Sequence, residues 1–448
     1  MALQIGDFKD GIVHFIGCGG AGMAPLALIL AERGFKVSGS DLELSDKTEE
    51  LRRKGAEVFH GHAAENIPAA EKCLVVYSSA VKPGNPEMAQ AAKAGFPRVR
   101  RGEMLAMLAA AYRRPVAISG SHGKTTVTAM LVHILRECGV KCGAMIGGKV
   151  NSGLSAAAGD GDIFVTEVDE SDGTHALMNS FLGLVTNVED DHCWSVGGTE
   201  QLFRNFSDFA CKSRHLIYVA HPNSDRLFAE HADAQRLDPD KILAAGYFKY
   251  LSPAKQQEWR GYQSLNAAIA LAAAIKLGAD PGTAEKALES FPGVSRRMTC
   301  HLNTPSLTVM EDYAHHPTEL AAALDSLRGR FPGHHFRVVF QPHRYARLRQ
   351  YFDDFTRILR IPDSVFISPV FAAWVEKGEL GSEELAKQTG PTACFISGRW
   401  EDMPAILLKP CASRPLLLAI IGAGDIEQLI PHVLSAANKS AKDNLPRF

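Results

Sequence analysis

The chain lacks any uninterrupted apolar run approaching the roughly 18 residues that would span a bilayer, so no membrane-spanning helix is expected. Its first residues, MALQIGDFKDGIVHFIG, lack the basic head, apolar stretch and small-residue cleavage site of a secretory leader. A cytoplasmic protein follows. Charge of one sign is also missing: 48 Lys and Arg against 50 Asp and Glu leave a formal net charge of −2. Nothing global therefore draws the chain to nucleic acid or an anionic membrane, and an acidic or phosphorylated substrate would need local basic residues. The nine cysteines form no CxxC pair and no His/Cys cluster, which argues against a structural zinc site or a disulfide framework. Reduced and mostly buried thiols are the expectation.

What is present is α/β alternation on a scale larger than one core. At 448 residues, with 46% hydrophobic side chains, two or three domains are expected. Residues 12–16 form a short apolar run, glycines follow, and residues 23–33 carry helical apolar spacing that Gly34 closes. A second strand near 35–39 ends at Asp41, completing a βαβ unit. A new start comes at 116–119, with Val127, Met130, Leu131, Ile134, Leu135 and Cys138 on one helical face. A third follows SFPGVSRRM, where four more strands each run into a polar turn. The expected organisation is a domain over 1–112, a shortened central domain over 113–294 and a third over 295–448.

Two glycine loops carry the chemistry. Gly17, Gly19 and Gly22 spell GxGxxG between a strand and a helix, with Asp41 about 20 residues on, the pattern of a diphosphate at a helix N-terminus. A dinucleotide or a UDP-sugar satisfies it equally, as does tight packing without a ligand. The second loop, GSHGKTT at 120–126, fails the usual phosphate-loop spelling, which would put glycine where Ile118 stands. It keeps the working groups: Gly123 for close approach, Lys124 for the β and γ phosphates, Thr125 for Mg²⁺. Two apolar strands then end in acids, Glu167, Asp169, Glu170 and Asp172 after one, Glu189, Asp190, Asp191 and His192 after the other. Strand ends in parallel sheets gather ligand-binding residues, so these acids are expected near the loop as candidates for a divalent metal. An NAD dehydrogenase would explain only the first loop, and a phosphate-loop switch only the second.

The ordered set GCGGAGM, SDL, SSAV, GSHGKTT, EVDESD, TNVEDDH, GVSRRM, DYAHHPTE and FQPHRY resembles the Mur ligases over residues 12 to 425, nearly the whole chain. The resemblance implies a Rossmann-like UDP-binding domain, a central P-loop ATPase domain and a Rossmann-like C-terminal domain that closes over the amino acid. It implies an ATP-dependent, amide-forming ligase of peptidoglycan precursor synthesis, most similar to the member that joins L-alanine to UDP-N-acetylmuramate through an acyl phosphate. The muropeptide-recycling relative that attaches a tripeptide is the second reading, and a divergent ligase with another acceptor the third. ATP and Mg²⁺, with two ions, are the implied cofactors.

By the same resemblance Gly17, Gly19, Gly20, Ala21 and Gly22 cradle the UDP diphosphate, with Ser40, Asp41 and Ser79 nearby. Gly120, Ser121, His122, Gly123, Lys124, Thr125, Thr126, Asn187, Gln263, Asn266, Arg297 and Asp312 take ATP, while Thr125, Glu167 and His192 hold Mg²⁺. His315 and His316 meet ATP or the acceptor, and His343, Arg344 and Arg347 reach the substrate's acidic groups. Lys124, Glu167, His192, Arg297, His316 and Arg344 are the implied catalytic set. Two departures stand out. Where the family usually carries HN-x-x-N against adenine, this chain reads GYQSLNAA, and residues 206–260 are shorter than expected, which trims one edge of the central sheet. Neither composition nor motif fixes the oligomeric state.

Overall fold

The computed structural model describes residues 3–151, 153, 155–191, 193–372, 380–409 and 414–443. It is an α/β protein with three sheets. The first holds β1 (Ile12–Ile16), β2 (Lys36–Asp41), β3 (Glu57–His60), β4 (Cys73–Tyr77) and β5 (Arg98–Arg100), all parallel, in the order β3-β2-β1-β4-β5. Because strand order reverses beside β1, the glycine loop after it opens at a switch point, where α/β sheets place ligands.

The second sheet holds β6 (Arg114–Ser119), β7 (Cys142–Met145), β8 (Ala156–Ala157), β9 (Ile163–Glu167), β10 (Ser180–Val185), β11 (Ser213–Val219) and β12 (Ala234–Leu237). Their order is β12-β11-β10-β6-β9-β7-β8, and only β8 runs antiparallel. Register pairs Ile118 with Glu167 and Ser119 with Val185, so the ends of β9 and β10 flank the loop leaving β6. Past β12 the described residues form no strand before Thr299.

The third sheet holds β13 (Thr299–Asn303), β14 (Leu307–Asp312), β15 (His335–Phe340), β16 (Ser364–Ile367), β17 (Ala393–Phe395) and β18 (Leu416–Ile421), ordered β13-β14-β18-β15-β16-β17. All six residues of β18 are buried, as a strand covered on both faces requires.

Three sheets make two compact units. Residues 1–252 and 263–294 form one, residues 253–262 and 295–448 the other. The first two sheets share a unit because one apolar core runs through both, from Ile5 to Phe228. Tyr112 marks the seam. Its ring stacks on Phe164 at 4.7 Å, its hydroxyl donates to the Ala158 carbonyl at 2.8 Å, and the Arg33 guanidinium lies 4.4 Å from the ring centre. A stacked aromatic pair of this kind contributes about 1 kcal/mol beyond its buried area.

Candidate active site

In the second sheet, β6 ends at Ser119 and the helix Lys124–Glu137 begins five residues on. Gly120 (φ +134°) and Gly123 (φ +84°) make the turn. Both are also sterically required: a Cβ on Gly120 would lie 2.1 Å from Thr186 Oγ1, and one on Gly123 would lie 2.7 Å from Asn266 Oδ1. Asn187 holds the loop from β10, its side chain accepting from His122 N–H at 2.9 Å and donating to His122 C=O at 3.1 Å. Ser121 Oγ accepts from Glu189 N–H at 2.9 Å. Asn187, expected beside the nucleotide, therefore shapes the loop itself.

Lys124 Nζ donates to Glu170 Oε2 at 2.6 Å, to Gly120 C=O at 2.7 Å and to Ser121 C=O at 3.3 Å. Burial works to lower the Lys124 pKa, yet Glu170, Asp169 and Glu167 together raise it, so the ammonium stays charged. Burial pushes the Glu170 carboxyl up to about 7 against the pull of Lys124. Asp169 behaves oppositely: burial is outweighed by Lys124 and by two hydrogen bonds from Ser171, holding its carboxyl below the usual range.

Thr125 Oγ1 donates to Glu167 Oε2 at 2.8 Å, and Glu167 Oε1 also accepts from Gly147 N–H. Hard oxygens suit Mg²⁺, and adjacent ligands of an octahedral ion at its usual bond length lie about 2.9 Å apart, so this pair fits such an ion. His192, the expected third ligand, lies outside the described residues.

The second anchor, expected against adenine, packs on the glycine loop after β6. Asn266 reaches the loop at Gly123, its Oδ1 2.7 Å from where a Cβ there would stand. Asn266 Nδ2 and Gln263 Oε1 are buried without a hydrogen-bond partner among the described residues, each at a cost of about 1–3 kcal/mol that a ligand could relieve. Tyr262, the first residue of that motif, belongs to the other unit.

In the first sheet the glycine loop is closed by its own chain. Gly17 (φ +80°) and Cys18 donate their N–H groups to Ser40 C=O at 2.8 and 2.9 Å, and Gly19 N–H donates to Asp41 Oδ2 at 2.8 Å. Gly20, Ala21 and Ser79 are exposed and Gly22 half-buried. Ser40, expected to face the sugar nucleotide, is turned inward: it is fully buried, donates to Glu87 Oε2 at 2.7 Å and lies 2.9 Å from His62 Nδ1. Glu87 also bonds His14 and Asn66. Burial works to raise its pKa, but those bonds outweigh it and keep the carboxylate charged. Sequence reasoning missed Glu87, since an acid two residues into a helix looks like an ordinary first-turn acid.

In the second unit the expected residues gather at the ends of three adjacent strands. β14 ends at Asp312, β15 leads to His343 and Arg344, and β18 leads to Gly422. Asp312 accepts from the N–H groups of Met298 and Ala314, both at 2.8 Å, and burial lifts its carboxyl to about 6 despite Arg297. Arg297 lies 3.4 Å from Glu319 and over the Tyr313 ring at 4.8 Å. His315 Nδ1 lies 3.1 Å from Tyr313 C=O and 3.2 Å from Glu319, and burial pushes its pKa down to about 3. It is a neutral imidazole. His316 caps the helix Pro317–Arg330 by accepting from Thr318 N–H at 3.4 Å, and Arg347 is buried with Nη1 3.2 Å from His343 Nδ1.

Arg344 adopts a left-handed backbone (φ +66°) that non-glycine residues take at a cost of about 1–3 kcal/mol. Its Nε is buried without a hydrogen-bond partner among the described residues. Arg296, not anticipated, also has positive φ (+63°) and donates to Gly422 C=O and Gly424 C=O at 2.9 Å while pairing with Glu311 and Glu427. It locks the loop that presents Arg297.

Comparison with known proteins agrees along the chain. Residues 12–113 match the Mur ligase family, catalytic domain, residues 118–238 the Mur ligase middle domain, and residues 296–414 the Mur ligase, glutamate ligase domain. UDP-N-acetylmuramate--L-alanine ligase of Persephonella marina is 35% identical over 93% of this chain and 95% of its own. The protein of the same name from Aquifex aeolicus is 33% identical over 95% and 97%. Among solved structures, UDP-N-acetylmuramate-alanine ligase MurC from Thermotoga maritima aligns with a TM-score of 0.75 at 24% identity, covering 96% of this chain and 99% of that one.

Proposed function

The chain belongs to the Mur ligase family, and we propose that it joins L-alanine to UDP-N-acetylmuramate with cleavage of ATP. The observation that carries this reading is the pairing of full-length similarity to ligases of that name with an intact phosphate-binding lysine, Lys124, beside the Thr125–Glu167 oxygen pair.

The reaction asks two anions to meet. The muramate carboxylate attacks the γ-phosphate of ATP to give an acyl phosphate, and the amine of L-alanine then displaces phosphate through a tetrahedral intermediate. Lys124 supplies a fixed cation for the transferring phosphoryl group, where preorganised charge lowers the barrier most. Gly120 and Gly123 let backbone N–H groups approach the phosphates. Thr125 and Glu167 would hold Mg²⁺, with His192 as the family's third ligand. Bound there, the ion would neutralise charge on the β and γ phosphates. Gln263 and Asn266 offer buried amide groups to the nucleotide. Arg297 and Asp312 are assigned to ATP, and His343 and Arg344 to the acidic groups of the substrate or the leaving phosphate. The neutral His315 adds no positive charge to repel an incoming ammonium.

The test is a coupled phosphate-release assay with UDP-N-acetylmuramate, ATP and Mg²⁺, adding L-alanine, glycine, L-serine or the L-alanine-containing tripeptide in turn. Release with L-alanine is expected. Release with the tripeptide alone would reassign the protein to muropeptide recycling, and no release with any single amino acid would end the present reading.

A further inference from the structure

The amino ends of β6, β10 and β11 enclose an open cavity of about 460 Å³. These strands are neighbours, with Ser180 of β10 paired to Ser213 of β11 and β10 paired to β6. The phosphate loop leaves the other end of β6, so the six residues of that strand separate the two places by about 20 Å.

Arg113, Lys212 and Arg214 line the cavity, and among the described residues no carboxylate does. In a chain with 48 basic and 50 acidic residues, three cations around one hollow are a local reversal of charge. The acid whose field reaches Arg113 is Asp162, and it is already held by Arg114, whose Nε and Nη2 donate to it at 3.1 and 2.7 Å. Lys212 spends one of its donors on the Ala176 carbonyl. Arg214 lies 5.8 Å from the centre of the half-buried Phe181 ring. Neither the Arg113 nor the Arg214 guanidinium makes a hydrogen bond or ion pair among the described residues. Like charges facing one hollow repel each other until an anion joins them.

We propose that this cavity binds a small anion carrying a diphosphate, at a site separate from the nucleotide loop. Two guanidinium forks and an ammonium match the oxygens and the charge of such a group. The volume falls within the roughly 300–1,000 Å³ of small-molecule sites. Position gives the occupant a task. Residues 111–113 are the whole link between the helix Arg101–Ala110, which follows the first sheet, and β6 of the second. An anion held by Arg113 on one side and by Lys212 and Arg214 on the other braces that joint. The inference does not rest on the ligase reading.

Cys211 is exposed on the cavity wall and reports its occupancy locally. The experiment labels the full chain with N-ethylmaleimide without Mg²⁺, titrates inorganic pyrophosphate, and follows Cys211 by peptide mass spectrometry with the exposed Cys300 and Cys394 as controls. Pyrophosphate should slow labelling of Cys211 alone. Replacing two charge-assisted contacts at exposed positions, Arg113→Gln with Arg214→Gln, should raise the half-protecting concentration about tenfold or more. Arg113→Lys with Arg214→Lys keeps the charge and should stay within about threefold of wild type. An unchanged melting temperature in both double variants separates lost binding from misfolding. ADP distinguishes two sources of the same chemistry: protection at lower concentration than pyrophosphate assigns the site to a nucleotide with its base against Phe181, and protection at equal or higher concentration assigns it to the bare diphosphate. Slower amide exchange across 110–115 with pyrophosphate checks the brace, and unchanged exchange there would overturn that part. No protection of Cys211, protection that survives in the Gln double variant, or equal protection of all three cysteines would overturn the site. Equal protection by malonate would overturn phosphate as the class of ligand.

Discussion

Glu170 Oε2 lies 2.6 Å from Lys124 Nζ, and Glu170 is almost wholly buried. The cation at the glycine loop is therefore held by an acid inside the fold, and under the proposed function phosphates would compete with that acid.

Removing the cation alone should do two separable things. Lys124→Ala is expected to abolish phosphate release while leaving UDP-N-acetylmuramate affinity within about twofold, and to destabilise the protein by about 3 kcal/mol because a buried carboxylate loses its partner. Adding Glu170→Gln should restore most of that stability and none of the activity. Denaturant unfolding of both variants checks this, and equal destabilisation of single and double variants would contradict it.

The oxygen pair makes a metal prediction. Thr125→Val should raise the Mg²⁺ concentration needed for half-maximal phosphate release by about tenfold or more, since even outer partners of a metal change affinity that much. Glu167→Gln should do the same, and chelation should stop the wild-type reaction. A Mg²⁺ titration that superimposes on wild type would remove these two residues from the metal site.

Two glycines separate strain from collision. Gly17 and Gly123 both have positive φ, at +80° and +84°, but a Cβ on Gly17 meets nothing closer than Ser78 Oγ at 4.0 Å, whereas one on Gly123 reaches 2.7 Å from Asn266 Oδ1. Gly17→Ala should cost about 1 kcal/mol of stability, the price of left-handed backbone alone. Gly123→Ala should cost more and also weaken ATP. Thermal melts with and without ATP decide between them, and identical shifts would mean that Asn266 yields freely.

His175 predicts acid sensitivity. Both ring nitrogens are buried without hydrogen-bond partners among the described residues, the ring lies against Phe206 and Phe209, and burial pushes its pKa from 6.5 down to about 4. The unfolded chain then binds the extra proton, so stability is full above pH 6.5 and falls as pH drops towards 4. The loss is about 2 kcal/mol at pH 5. His175→Leu should melt near the wild-type temperature at pH 8 and above it at pH 5. An unchanged pH dependence of melting would show that other groups set it.

Much of the candidate site was legible because spacing carried it. The turn from β6 into the helix at Lys124 and the acids after β9 are local patterns, and a parallel sheet brings strand ends together whatever the intervening loops do. Side-chain direction was not legible. Ser40 and Asp41 are neighbours in sequence, yet Ser40 turns to the buried Glu87 and Asp41 to Gly19, because successive strand residues face opposite ways and their partners lie 47 and 22 residues away. Arg296 and Arg297 diverge likewise, one locking the Gly422 turn and the other facing Glu319.

The sequence by itself determined the α/β class, the two glycine loops and the family, because those depend on periodicity and on residue types at fixed short intervals. Only the tertiary structure decided that three sheets form two compact units, that Lys124 rests on Glu170, that Asn266 reaches Gly123 and that Arg101 lies against Gly22. Each of these joins residues far apart in the chain, and what fixes them is the packing of one element on another and the charge that burial leaves to be matched.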